Sequence, residues 1–300
     1  MNSGQNDARH YLLDATCFYA LSTDSEKRLA LGRAASSMTT TILAVAELAC
    51  VGDTADDFMR RKAAMRALTA VCPSVIAESP DDIVAGAFGR PNLYRLPFAP
   101  LDIDRVFELA SSRDEAIRGV KDPMSGKRLR LNPAGCRAWK SEIADRYRKA
   151  LMLGNRYASD FLRNDNPEAV APATPDAIDV QAQDRFMSLF CVAIRSGLLA
   201  ECEVKFRSSL VALAAEFVPL LSERYNGKLE PYISMDIAYR RSLAAGQEPE
   251  TDAVFGLENF LYLDALDDSY TFVTAEDRWL EPGHGALPGR VKSLDEVTSS

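Results

Sequence analysis

Tyr270-Thr271-Phe272-Val273-Thr274-Ala275-Glu276-Asp277-Arg278-Trp279 is the stretch whose reading decides the fold. A β-rich run, Tyr270 to Val273, stops at Thr274, and two carboxylates follow at once. In sheets flanked by helices, ligands gather just beyond the carboxyl ends of the strands. The start of the chain repeats the arrangement: Tyr11-Leu12-Leu13 is a short apolar run, and Asp14 stands at its end. If the two runs are neighbouring strands, opposite ends of the chain bring acids to one rim of one sheet.

Working outward, Asp14 opens a helical stretch that continues through Ser22 to Arg33. Ser36 to Thr41 is rich in β-branched and hydroxyl residues and predicts a second strand. Ile42 to Val51 reads as a buried helix closed by Gly52, with Glu47 in its middle. An amphipathic helix is expected over Asp56 to Leu68, and a third strand over Val71 to Ala77, with Pro73 at its start. Pro80 to Pro100 reads as a boundary region. The middle is helical in at least four segments, 102–118, 134–163, 176–200 and 203–224, broken by loops over 122–133 and 164–175. Helices are expected over Ile233 to Ala245 and Asp252 to Leu266, the latter ending in the acidic turn Asp267-Asp268. After the 271–274 strand comes a loop carrying Pro282, Gly283, Gly285, Pro288 and Gly289, then a last short strand and a capped helical turn over Val291 to Val297. The expected architecture is one α/β domain, 8–100 with 228–300, interrupted by an all-helical insertion over 101–227.

Composition narrows the classes. Three hundred residues with 47% hydrophobic content suffice for a sizeable core. A net charge of −8 argues against a surface coated in basic charge for nucleic acid, though not against a local basic patch. The six cysteines show no C-x-x-C pairing and no zinc spacing, which suggests a reducing, cytoplasmic setting. No apolar run approaches the roughly 20 residues of a membrane helix, so no membrane association is expected. Two histidines supply histidine-centred chemistry poorly, and no glycine-rich phosphate loop points to a nucleotide cofactor.

The acids carry the chemistry. On a helix, the neighbours of Glu47 on its own face are Leu43, Ala44, Cys50 and Val51, all apolar. A lone charge there needs an ion-pair partner or a cation. Asp14 also suits a helix N-cap, and Glu276 and Asp277 also suit caps of the turn into Trp279. Asp252 suits the positive end of a helix dipole. Taken together, carboxylates gathered at one rim raise each other's pKa unless a cation neutralises them. Magnesium and manganese prefer such hard oxygen ligands.

In these residues the chain resembles the PIN-domain family of metal-dependent nucleases. Leu12-Leu13-Asp14-Ala15-Thr16 resembles the first family motif, and Thr41-Ile42-Leu43-Ala44-Val45-Ala46-Glu47-Leu48 the second. Glu258 falls where the family places its third acid, and Val273-Thr274-Ala275-Glu276 resembles the fourth motif. Val291 to Glu296 resembles the closing strand and Glu-bearing turn. The chain departs from the pattern in carrying Glu258 and Glu276 where aspartates are expected, and Asp252 and Asp277 remain rivals. The resemblance covers about half the chain. It implies a three-layer fold with a central parallel sheet, and a Mg or Mn ion held by Asp14, Glu47, Glu258 and Glu276 or Asp277. Thr41 and Thr274 would position ligands. It further implies ribonuclease activity and, in some members, an inhibitory protein partner. A catalytically silent fold binding RNA or protein is the alternative, and oligomeric state, a homodimer included, is left open.

An independent signal lies in the middle. Between Arg113 and Arg163 thirteen Lys or Arg face six Asp or Glu, a net +7 inside a chain of −8. Trp139, Tyr147 and Tyr157 are interleaved, which suits phosphate contact with base stacking. The basic run is densest at Lys127, Arg128 and Arg130, the expected RNA contact. A basic helix docking on the acidic remainder gives the same pattern.

Overall fold

Short β-branched and apolar runs supply five strands: β1 (His10–Leu13), β2 (Ser37–Thr41), β3 (Ser74–Ile76), and, late in the chain, two more numbered below. The computed structural model describes residues 9–35, 37–90, 100–164, 180–198, 220, 223–243, 247–266 and 269–299. Between the early strands lie α1 (Ala15–Thr23), α2 (Ser25–Ala34), α3 (Ile42–Ala49) and α4 (Ala55–Val71). They are followed by α5 (Pro80–Ala87), α6 (Pro100–Leu109), α7 (Arg113–Arg118), β4 (Val120–Lys121), β5 (Arg128–Leu129) and α8 (Pro133–Asn164). Next come α9 (Val180–Arg195), α10 (Glu230–Ser242), α11 (Thr251–Leu257), a 3-10 turn (Glu258–Phe260) and α12 (Leu261–Leu266). The chain closes with β6 (Tyr270–Thr274), α13 (Asp277–Ala286), β7 (Val291–Ser293) and α14 (Leu294–Thr298).

The fold is α/β, with a central sheet of order β3-β2-β1-β6-β7 flanked by helices, and every neighbouring pair in it is parallel. β1 is the middle strand. Leu13 is aligned with Thr40 on one side and Val273 on the other. Strands buried on both faces read as continuous apolar runs, and Leu12, Leu13, Phe272 and Val273 are all fully buried. The chain lays β2 and β3 to one side of β1 and returns at β6 and β7 on the other. The strand order therefore reverses between β1 and β6.

The chain divides into two compact units, one of residues 1–79, 95–141 and 265–300, the other of 80–94 and 142–264. The expected division was 8–100 with 228–300 against 101–227. The difference is that 101–141 joins the sheet-bearing unit, and 80–94 and 228–264 the helical one, with one boundary inside α8. Residues 101–227 are also not all-helical among those described: β4 and β5 form an antiparallel ribbon. Two-residue strands leave no periodicity to read, and the turn between them is set by side-chain chemistry. Asp122 accepts from Met124 N at 3.2 Å, Ser125 N at 3.0 Å and Ser125 Oγ at 2.5 Å, while Gly126 takes φ +70°.

Two further expectations change. The helix from Asp14 to Arg33 is broken at Asp24, whose carboxylate caps α2 by accepting from Lys27 N at 2.9 Å. The expected loop after β6 is α13, with Pro282 inside it. Propensity opposes this helix, but Trp279 is buried at 1% exposure and Gly283 lies directly against β7. A Cβ at Gly283 would stand 2.7 Å from Val291 Cγ1. Gly283→Ala is therefore expected to cost about 1–3 kcal/mol, measured by urea unfolding, and Val291→Ala should recover part of the loss. Equal stability of wild type and Gly283→Ala would refute the close approach. The expected helix over 203–224, the loop after Asn164 and the Asp267-Asp268 turn lie outside the described residues, apart from positions 220, 223 and 224.

Candidate active site

Asp14 follows the last residue of β1 and caps α1, its Oδ1 accepting from Cys17 N at 3.1 Å. The reading as an N-cap is thus correct, but capping uses only part of the carboxylate. Thr16 Oγ1 donates to Oδ1 at 2.6 Å, and Thr274 Oγ1, from the end of β6, donates to Oδ2 at 2.6 Å. Thr16 Oγ1 in turn accepts from Ala275 N at 3.0 Å, and Thr274 Oγ1 from Glu276 N at 3.0 Å. The two strand ends are sewn together through hydroxyls at the point where the strand order reverses, the crevice in which such sheets bind ligands.

Asp14 is 5% exposed, and no lysine or arginine contacts it among the described residues. Burial pushes its carboxyl above the ordinary value, and the donors from Thr16, Thr274 and Cys17 only partly oppose this. A buried carboxylate without a cation is costly. A divalent ion would relieve that cost, and on this ground alone Asp14 bears on the implied Mg or Mn.

The other acids are differently placed. Glu47 lies on α3, which starts where β2 ends, with a side chain 27% exposed. Its carboxylate is paired with Lys140 of α8, and its carbonyl accepts from Arg61. Thr41 is fully buried at the start of α3 and makes no side-chain cap. Glu276 is half-buried and paired with Arg278, while Asp277 is exposed in the first turn of α13. Glu258 belongs to the helical unit and is fully buried there, with Arg195 donating to its two oxygens at 2.8 and 2.7 Å. Asp252 is exposed on α11. Among the described residues no three or more Asp, Glu, His or Cys side chains form a set able to hold a metal ion. In place of a rim crowded with three or four carboxylates, Asp14, Glu47, Glu258 and Glu276 each meet donors of their own, and the case for a cation rests on Asp14.

The basic segment separates into two parts. On α7 and α8 four of the described cations are engaged: Arg113 with Asp53, Arg137 with Val51 O at 2.9 Å, Arg146 with Asp81, Arg148 with Asp145. Trp139 and Tyr147 are buried, and Tyr147 donates to Asp236 at 2.6 Å. These two aromatics are core, not stacking platforms; the Tyr157 side chain lies outside the described residues. On the ribbon, Lys121, Lys127, Arg128 and Arg130 are exposed. Asp122, the acid among them, is buried and held down at about 2 by the Ser125 hydroxyl, against burial and with help from backbone N–H donors and Arg105.

Sequence reasoning missed Lys140 as the partner of Glu47, because nothing local links positions so far apart. It also missed Thr16, although a hydroxyl two residues after a capping aspartate is a visible signal. None of the described helices is long and apolar enough to cross a membrane. Compared with known proteins, the chain matches no family model, no curated protein and no solved structure.

Proposed function

We propose that this chain is a PIN-like metal-dependent ribonuclease, hydrolysing RNA phosphodiester bonds at a Mg or Mn ion bound through Asp14. The observation that carries the reading is the buried carboxylate of Asp14, with no lysine or arginine against it among the described residues, at the switch point of a parallel sheet. Magnesium takes one or two protein carboxylates and completes its shell with water and phosphate. When bound, such an ion lowers the pKa of an attacking water and stabilises charge on the leaving oxygen. Thr16 and Thr274 fix the carboxylate's orientation through their hydroxyl donors. Glu47 is the candidate second ligand once Lys140 turns to a substrate phosphate. Lys127, Arg128 and Arg130 give the RNA backbone an exposed cationic ribbon.

A second reading, a silent fold that binds RNA without cutting it, is favoured by the ion pairs that already satisfy Glu47 and Glu258. Both are tested by incubating a mixed set of single-stranded and hairpin RNAs with manganese, magnesium or EDTA, with Asp14→Asn alongside. Metal-dependent cutting is expected to fall at least ~100-fold in the variant. Equal cutting by both proteins would sink the nuclease. RNA binding without cutting would leave the silent module. In either reading, Lys127→Ala with Arg128→Ala and Arg130→Ala should weaken binding to all RNAs alike. The slope of log affinity against log salt should then fall by about 2; an unchanged slope would remove the ribbon from the interface.

A further inference from the structure

We infer that Pro123 and Met124, at the tip of the ribbon formed by β4 and β5, are a wedge that enters RNA beside an unpaired base. The inference rests on reading the ribbon as an RNA contact, and it names the substrate class: hairpins interrupted by a bulge. Met124 is 86% exposed, the most open of the large apolar side chains among the described residues, and Pro123 beside it is exposed too. A lone exposed methionine needs no explanation; this one is held out on a fixed turn. The buried Asp122 gathers Met124 N, Ser125 N and the Ser125 hydroxyl on its carboxylate, and Arg105 Nε donates to the same group at 3.1 Å. Asp122 N donates to Lys127 O, and Gly126 N to Asp122 O, both at 2.8 Å. At the root of the ribbon Val120 and Leu129 are buried, and Leu131 N donates to Ala116 O at 2.9 Å. The tip is built before any ligand arrives, so little ordering remains to be done on binding.

The charges around the tip say what it meets. Lys121, Lys127, Arg128 and Arg130 flank it and are exposed, while Asp122, the acid between them, is buried. Gly119, at φ +101°, makes room for the Arg128 side chain: a Cβ there would stand 3.1 Å from Arg128 Cγ. An apolar tip on a cationic stem matches a polyanion that also offers apolar faces. In RNA the phosphates take the cations, and a base face takes the thioether and the proline ring. Parting a base step costs stacking energy, and least where the neighbouring base is already unpaired. A continuous duplex bears that cost in full. A wholly unpaired strand offers the four cations a lower density of phosphate charge. A helix interrupted by an unpaired base meets both demands.

The test is run on the full chain in EDTA, so that cutting plays no part. Its probes are a hairpin with 2-aminopurine beside a single-base bulge, and the same hairpin with that base paired. Wild type should bind the bulged hairpin more tightly, and the 2-aminopurine fluorescence, quenched by stacking, should rise. Met124→Ala should bind it about tenfold more weakly, with no rise. Its salt slope should be unchanged, because no phosphate contact is lost. Met124→Leu should recover both affinity and rise. Since Met124 is exposed, its replacement leaves the fold intact. If Met124→Ala equals wild type in affinity and fluorescence while Lys127→Ala with Arg128→Ala and Arg130→Ala still weakens binding, the wedge is overturned and the ribbon remains an RNA contact. Wild-type protein that binds neither hairpin would overturn the RNA reading and the wedge together. Flotation with phosphatidylserine vesicles, lost in Met124→Ala and without RNA binding, would instead make the tip a membrane anchor.

Discussion

Arg195→Ala is expected to destabilise the helical unit by about 3–5 kcal/mol, because it strands a charge rather than merely deleting a contact. Arg195 and Glu258 are essentially without solvent, at 1% and 0% side-chain exposure. The guanidinium grips both carboxylate oxygens, donates to Tyr232 Oη at 3.0 Å and lies 3.8 Å from Asp81. Burial raises the Glu258 carboxyl and Arg195 is the chief influence opposing that rise, with a lesser one from Tyr232; without the arginine the rise is largely unopposed. The loss should therefore be greatest at neutral pH and shrink as acid protonates Glu258. Replacing both partners, Arg195→Met with Glu258→Leu, should restore most of the stability, since an apolar pair leaves no charge behind. Urea unfolding of the three proteins decides it: a loss below about 1 kcal/mol in Arg195→Ala would mean that the pair is not held away from water.

Asp14→Asn should make the protein more stable in EDTA at neutral pH, by about 1–2 kcal/mol. Asparagine caps a helix as well as aspartate does, and if the Thr274 hydroxyl turns to accept from its amide nitrogen, the main change is loss of the charge. The sign follows from burial, which raises the folded carboxyl above its ordinary value of 3.8. The folded chain then keeps a proton that the unfolded chain releases. That contribution is complete below the unfolded value and is lost as pH rises through the folded one. The gap between variant and wild type should open across that window and stay constant above it. Manganese should narrow the gap by binding the folded wild type and not the variant. Thermal unfolding at several pH values checks this, and a variant less stable than wild type in EDTA would make Asp14 a cap and nothing more.

How much of this was legible in the sequence depends on how local each feature is. β1, β2 and β6 show as apolar or β-branched runs, and the turn after β7 announces itself through Ser293 and Glu296, which form a full capping box. α13 was hidden because Pro282, Gly283 and Gly285 outweigh, in a local reading, the burial of Trp279 that packing against the sheet provides. Trp139 and Tyr147 misled because an aromatic set among cations looks the same whether it faces solvent or core. The partner of an acid is the least legible feature: Glu47 was rightly read as needing one, but Lys140 lies 93 positions away. Thr274 meets Asp14 across 260 positions, and there the strand-end pattern at both termini did carry the information.

That span has a consequence for biosynthesis. β2 and β3 follow β1 closely, but its other edge waits for β6 to leave the ribosome, after the entire helical unit. Until then the growing chain carries a bare, apolar edge, the surface that invites mispairing and chaperone capture. A message cut short before codon 274 would yield a protein with Asp14 but without the hydroxyl that orients it. Whatever the crevice does, the Asp14 carboxylate takes its full set of donors only after residue 274 has been made.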